Sequence, residues 1–400
     1  MHSPLKYLLA PDKFKGTLPA SAAAAAIARG WRKRRPRDLL QMLPLTDGGD
    51  GFGGAMGALL KARPRFASSV DAAHRPCRVA WWWEPKTRTA IIESAAVIGL
   101  ARLRAAGAQR SSSARACPQP RAEPELCAPP GRFHPFELDT YGLGLLLRTV
   151  AAKGVRRCLI GLGGSATNDA GFGMARALGW EFLGPGGLPL RYWTGLANLA
   201  RLRPPSRRRW FTEVVVAVDV ANPLLGPRGA TRVYGPQKGL HPEDLAPAEA
   251  CLRRLARIAR AECGRDLARE PGAGAAGGLG FGLRAFLGAR FEPGFDLFAR
   301  SADLARRLRW AELVITGEGA IDDSTFMGKG VGNLARQCRA RKIPCMGLAG
   351  VVQGRGMRGR LFTRLLALSE LTSSEEARAR PAFWLERLAE RAAAEWEAGA

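Results

Sequence analysis

The chain is poor in the residues that usually build metal centres and disulfide frames. Its 400 residues include four histidines and eight cysteines. His2, His74, His134 and His241 lack ligand spacing and the cysteines form no C-x-x-C pair, which argues against a zinc site. Cys77, Cys158, Cys251 and Cys345 lie in or beside apolar runs, so buried reduced thiols are expected rather than disulfides. No apolar run approaches the roughly eighteen residues that a membrane span needs. The apolar piece at the N-terminus is too short for a signal peptide. A cytoplasmic protein with no membrane partner is expected. The absence of a G-x-x-x-x-G-K-[ST] sequence disfavours a P-loop kinase.

Acidic residues are scarce as well: 35 Asp and Glu stand against 61 Lys and Arg, a net charge of +26. The excess is mostly arginine and is scattered, as at 32–35, 207–209, 253–254 and 306–307, several of these on the polar faces of alanine-rich helices. No RNA- or DNA-binding module accompanies it, so nucleic acid is disfavoured as a partner. The charge still favours small anionic substrates by steering. The length allows two domains, each with its own core, and leaves a homo-oligomer open.

Glycine, by contrast, is plentiful and gathered into loops. The loop GLGGSATNDAGFGM (161–174) follows the apolar run Cys158–Ile160 and leads into a helical pattern. Such a loop presents bare backbone N–H groups, which hold anions well. Gly161-x-Gly163-x-x-Ala166 also fits a dinucleotide fingerprint, with Glu181 near the place of the ribose-binding acid. An NAD(P)-dependent oxidoreductase is therefore the alternative reading. Gly272-x-Gly274-x-x-Gly277 repeats the pattern, but behind a helix and Pro271 rather than a strand. Neither pattern needs Ser165, Thr167, Asn168 and Asp169 packed behind the glycines.

Strands are expected at 7–10, 39–43, 158–160, 180–183, 213–218, 312–316 and 345–350, the last of these as the final inner strand. Helices alternate with them, which predicts a parallel α/β architecture. The texture changes from Val70, where 77–83 and 87–92 read as a hairpin. Trp81, Trp82 and Trp83 are expected to pack rather than stack on bases, because alternate strand residues face opposite ways. The Pro-, Ser-, Ala- and Arg-rich stretch 104–136 reads as a surface insertion, expected to be mobile. The chain from Glu375 onward reads mainly as helix.

Four strand-like runs lead into acids: Asp12, Asp47, Asp219 and Glu318. Ligands of open parallel sheets bind outside the carboxyl ends of the strands. Carboxylates without thiol or imidazole partners suit Mg²⁺ and proton transfer from a hydroxyl. Lys13, Lys15, Lys238 and Lys329 lie in glycine-bearing loops, and lysine suits a transferring phosphoryl group.

Seven motifs in order, Ala10–Gly16, Leu43–Gly51, Gly161–Asp169, Asp219–Gly226, Tyr234–Gly239, Pro271–Gly278 and Ile315–Asp322, together resemble the bacterial type-1 glycerate kinase family. The resemblance runs from about residue 7 to 350, and the stretch Leu371–Ala377 is also similar. It implies ATP-dependent phosphorylation of D-glycerate, usually at the 2-hydroxyl. It also implies two α/β domains with the active site in the cleft between them. One is a Rossmann- or flavodoxin-like parallel sheet built from both chain ends (1–75 plus 290–400); the other is an inserted α/β domain (76–289). The sequence departs from the family pattern at Asp50, where glutamate is usual, and at Ala170, where glycine is usual. It departs again in Met327–Gly332 and in the length of 104–136.

On this resemblance, Gly163, Gly164, Ser165 and Thr167, with Lys15 and Lys238, are expected to meet phosphates. Asp169 or Asp219 takes the hydroxyl proton. Asp47 and Glu318 are the candidates for Mg²⁺, and Asp12 orients Lys15. A basic side chain or the second glycine loop, Gly272–Gly278 with Gly274 and Gly277, meets the glycerate carboxylate. Asn168, Asn222, Gln237, Asp322 and Lys329 complete the expected substrate and nucleotide contacts.

Overall fold

A computed structural model of the protein describes residues 4–103, 133–326, 330–353 and 361–398. The chain divides into two compact units, Met1–Asp47 with Pro293–Ala400, and Gly48–Glu292.

The first unit is a five-stranded, all-parallel sheet. Its strands run in the order Arg364–Ala367, Cys345–Val352, Leu313–Ile321, Lys6–Leu9, Leu39–Met42. The inner strands are continuous apolar runs because both faces are covered, as parallel sheets require. Tyr7, Leu9, Leu313, Ile315, Met346 and Leu348 share a core with helix Ala20–Arg34 and helix Pro381–Ala398. The two helices approach so closely that a side chain at Gly30 would overlap the Glu386 carbonyl. Outside, Glu386 holds Arg29 at 2.8 Å and Lys33 at 2.7 Å. Arg364–Ala367 lies outside Cys345–Val352 as an edge strand that the sequence pattern does not announce.

The second unit is a six-stranded mixed sheet. Its order is Arg290–Glu292, Glu213–Ala217, Arg157–Gly161, Thr89–Glu93, Pro76–Glu84, Arg63–Val70, the first four parallel and the last two antiparallel. The expected hairpin is present, and Arg63–Val70 extends it. Its full-length pairing with Pro76–Glu84 draws residues 48–75 into this unit, so the unit begins at Gly48 rather than at 76. Trp81 is buried in the core of this unit and Trp83 packs against it. Trp82 faces the other way, against Gly53 and Gly57 of helix Phe52–Leu59, so the tryptophans pack as expected.

Cys158, Cys251 and Cys345 are buried free thiols, whereas Cys77 is only half-buried. Residues 104–132 of the expected insertion lie outside the described residues. Among the described residues, no helix is long and apolar enough to cross a membrane.

Candidate functional site

In the second unit the parallel strands Thr89–Glu93, Arg157–Gly161 and Glu213–Ala217 each deliver a loop to one edge. Arg157–Gly161 runs into 162–171, which feeds helix Phe172–Ala177. The strand, glycine loop and helix thus follow one another as expected. The loop glycines are spaces filled by protein. A Cβ on Gly161 would come within 2.6 Å of the Gly48 carbonyl, one on Gly163 within 2.9 Å of Gly49 Cα, and one on Gly164 within 2.8 Å of Asp50 Oδ1. The 48–50 segment therefore lies on this loop, held from behind by Glu93. That carboxylate accepts the Gly51 and Gly53 N–H groups at 3.0 and 3.1 Å. Glu93 ends a strand as the other candidate acids were expected to; the same signal would have found it.

Asp169 is fully buried. Its Oδ2 accepts the Thr140 N–H at 2.9 Å, the Thr140 hydroxyl at 2.7 Å and the Gly173 N–H at 2.9 Å; Oδ1 accepts the Gly171 N–H at 3.3 Å. The Met174 N–H in turn donates to the Thr140 hydroxyl. Burial, and the Asp139 charge behind it, push the Asp169 carboxyl up to about 6 despite these donors. Asp169 thus ties the start of helix Phe172–Ala177 to that of helix Tyr141–Ala152. Asp219, by contrast, lies just past strand Glu213–Ala217 and is exposed.

Lys238 is buried in the turn Pro236–Lys238. Its Nζ donates to Ser165 Oγ at 3.0 Å and to the Thr167 carbonyl at 2.7 Å. Burial pulls the amine down to about 7, against the pull of Asp169. The second glycine loop closes over it: a Cβ on Gly277 would overlap the Thr167 carbonyl and come within 2.7 Å of Lys238 Nζ. Ala276, Gly277 and Gly278 all have positive φ, so regular helix starts only after them. Gly274 sits against the Asn222 and Pro223 carbonyls. Asn222 donates its amide N–H to the Arg228 carbonyl (2.8 Å) and its Oδ1 accepts the Tyr234 hydroxyl (2.7 Å), which holds the 219–234 loop. Gln237 is exposed.

Three buried polar atoms near this edge lack partners: Ser94 Oγ, Thr167 Oγ1 and Asn168 Oδ1. Asn168 gives its amide N–H to Thr231 Oγ1 at 3.0 Å. Buried polar groups are otherwise nearly always satisfied, so such atoms point to a ligand or water.

In the first unit, the residues after Lys6–Leu9 cross the carboxyl edge of the neighbouring strands. The Asp12 N–H donates to the Gly317 carbonyl at 2.8 Å and the Leu45 N–H to the Pro11 carbonyl at 2.8 Å. Asp12 is buried, and its Oδ1 accepts the Lys13 N–H at 2.7 Å. Lys15 is exposed. Lys13 Nζ lies 3.6 Å from Asp47 Oδ1. Glu318 does not end its strand; it lies inside Leu313–Ile321, where Thr325 Oγ1 donates to it at 2.8 Å. Asp322 follows, its N–H donating to Thr325 Oγ1 at 3.3 Å. Lys329 lies outside the described residues.

The dinucleotide pattern fails at its acid. Glu181 belongs to a separate hairpin, Glu181–Leu183 with Arg201–Arg203, and pairs with Arg203 at 2.7 Å. A ribose-binding acid would end the next strand of the parallel sheet, and Glu181 is not in that sheet.

The fold and its loops define a doubly wound α/β protein whose polar and glycine-rich residues gather at strand carboxyl ends. Residues 7–116 and 126–397 match the family described as "Glycerate kinase family". The chain belongs to that family and is, with it, a kinase. The unmatched residues 117–125 fall within the stretch expected to be an insertion. A Bacillus subtilis protein named glycerate kinase is 34% identical over 87% of this chain and 85% of its own. An Escherichia coli protein named glycerate 2-kinase is 33% identical over 86% of this chain and 85% of its own. A crystal structure of a Salmonella typhimurium LT2 chain carrying the name glycerate kinase 2 is 30% identical. It superposes with a TM-score of 0.80 over 99% of both chains.

Proposed function

We propose that the protein transfers the γ-phosphoryl group of ATP to the 2-hydroxyl of D-glycerate, giving 2-phosphoglycerate and ADP in the cytoplasm. The family match across nearly the whole chain carries this reading. The 33% identity to a protein named glycerate 2-kinase favours the 2-hydroxyl.

Phosphoryl transfer asks a protein mainly for positioning and charge neutralisation. A bond forms between the glycerate oxygen and Pγ while the β–γ bridging bond breaks, and the hydroxyl proton must leave. Asp219 is the group proposed to take it, because Asp219 is exposed beyond a strand end while the Asp169 carboxylate is enclosed by four donors. Asp169 acts as a positioning residue for the loop. Gly163, Gly164, Ser165, Thr167 and Asn168, with Lys238 beneath them, bind phosphate or glycerate. Lys15, Asp12, Asn222, Gln237, Gly274, Gly277, Asp322 and Lys329 supply the remaining contacts or hold the loops that do.

Mg²⁺ usually takes one or two protein carboxylates, with water and substrate phosphates completing its shell. Asp47 and Glu318 supply that number. Among the described residues no group of three candidate ligands is gathered, which fits a metal that arrives with the nucleotide. When bound, the ion neutralises phosphate charge.

The test is purified protein with ATP, Mg²⁺ and D-glycerate, the product identified by phosphorus NMR. ADP at the level of a glycerate-free control overturns the reading. A 3-phosphoglycerate product keeps the kinase and overturns the regiochemistry.

A further inference from the structure

Lys238 poses a chemical problem that the family assignment does not answer. Its amine is buried, and no carboxylate lies within ion-pair distance of it among the described residues. Two acceptors face it, Ser165 Oγ at 3.0 Å and the Thr167 carbonyl at 2.7 Å. A neutral amine has two N–H groups and an ammonium has three. The two acceptors therefore match the neutral amine, and a third N–H would be left buried without a partner. A buried ammonium lacking a counter-ion is costly. Asp169 is the one charged group that bears on the amine, and its oxygens are already engaged by Thr140, Gly171 and Gly173. The loop that Lys238 holds carries the unsatisfied Thr167 Oγ1, which can donate to an anion, and Asn168 Oδ1, which can accept from a ligand hydroxyl.

We infer that the Ser165–Asn168 loop is a proton-coupled anion site: Lys238 takes up a proton when a ligand's phosphate or carboxylate binds there, and releases it when the ligand leaves. The anion supplies the missing counter-charge and accepts the third N–H. The amine, already brought down to about 7 by burial, returns toward the ordinary lysine range. This rests on the proposed function for the identity of the anion, but not for its coupling to a proton.

The experiment is calorimetric titration of the whole protein with Mg²⁺–ATP, and separately with D-glycerate. Each titration is run at pH 6 and pH 8 in two buffers of different ionisation enthalpy. Uptake of about one proton at pH 8, falling close to zero at pH 6, is expected for one of the two ligands from the lowered lysine value. Lys238→Arg keeps the charge at both pH values, so binding to it should bring no Lys238-linked uptake. Lys238→Met should weaken binding at least ~10-fold, as expected for losing a charge-assisted bond. Binding without proton uptake at pH 8, or equal uptake in Lys238→Arg, overturns the inference. Should Lys238→Arg fold poorly, the wild-type comparison of the two pH values decides alone. Uptake without phosphoglycerate formation sinks the kinase reading and keeps this one. Turnover without uptake does the reverse, and failure of both ligands to bind sinks both.

Discussion

The two units end their parallel strands in loops that hold their lysines differently. In the second unit the loops interlock, and Asp169 and Lys238 are buried among them while Asp50 and Asp219 are exposed. In the first unit Asp47 and Lys13 meet at 3.6 Å with both side chains partly open to solvent, and Lys15 is exposed. Burial makes a charge sensitive to its partners, whereas exposure leaves it to salt and water. Asp169 and Lys238 of the second unit are thus held by fixed buried partners, whereas the Lys13–Asp47 pair of the first is shared with solvent.

The largest effect expected is on chemistry. Asp219→Asn should lower kcat by about 10²–10⁴, the usual worth of a positioned general base, with thermal stability unchanged. Full activity in Asp219→Asn would return the base to Asp169 and erase the contrast between an exposed reacting acid and a buried structural one.

Next comes interlocking itself. Gly277→Ala asks for a side chain at φ +70 where its Cβ overlaps the Thr167 carbonyl. A loss of roughly 3 kcal/mol or more is expected from strain and displaced backbone, read by denaturant unfolding. Gly54→Ala, whose Cβ would meet nothing within 4 Å, is the control within the same unit.

Asp169 gives a pH signature. Its carboxyl titrates near 6 in the fold against about 3.9 in the unfolded chain. The native state therefore binds more protons between those values, and stability falls as pH rises through that window. Relative to Asp169→Asn, the wild type should lose on the order of 1–3 kcal/mol between pH 4 and pH 7. Parallel curves for the two proteins would show that the carboxyl titrates normally.

The smallest effect is expected at Glu181. The Glu181–Arg203 pair is about half exposed on both sides, so Glu181→Ala should shift stability by less than about 1 kcal/mol and leave activity unchanged. Impaired nucleotide binding would reinstate the acid in a cofactor role.

Ala170 shows how a departure from the family pattern becomes legible only in three dimensions. It stands where glycine is usual and adopts φ +51, a region that costs an L-residue about 1–2 kcal/mol. Its methyl is buried beside Gly278, and burial of a methyl group returns about 0.8 kcal/mol of that.

The alternation of apolar runs and helical patterns, the ordered motifs and the polar half of the 161–174 loop were readable from the chain itself. These are local properties, set by side-chain periodicity and by which residues tolerate a turn. Local pattern could not rank Asp169 against Asp219, since each follows an apolar run and a glycine or valine-rich stretch. It could not show that Glu181 leaves the parallel sheet, that Glu93 braces the 48–53 segment, or that Thr140 donates twice to Asp169. Each of those depends on burial and on partners supplied by distant segments, such as Gly277 and Lys238 closing on Thr167. The sequence by itself determined which groups the protein owns and the order in which its strands present them. Tertiary packing alone decided which of them are sealed from water, and therefore which charges burial shifts and which water screens.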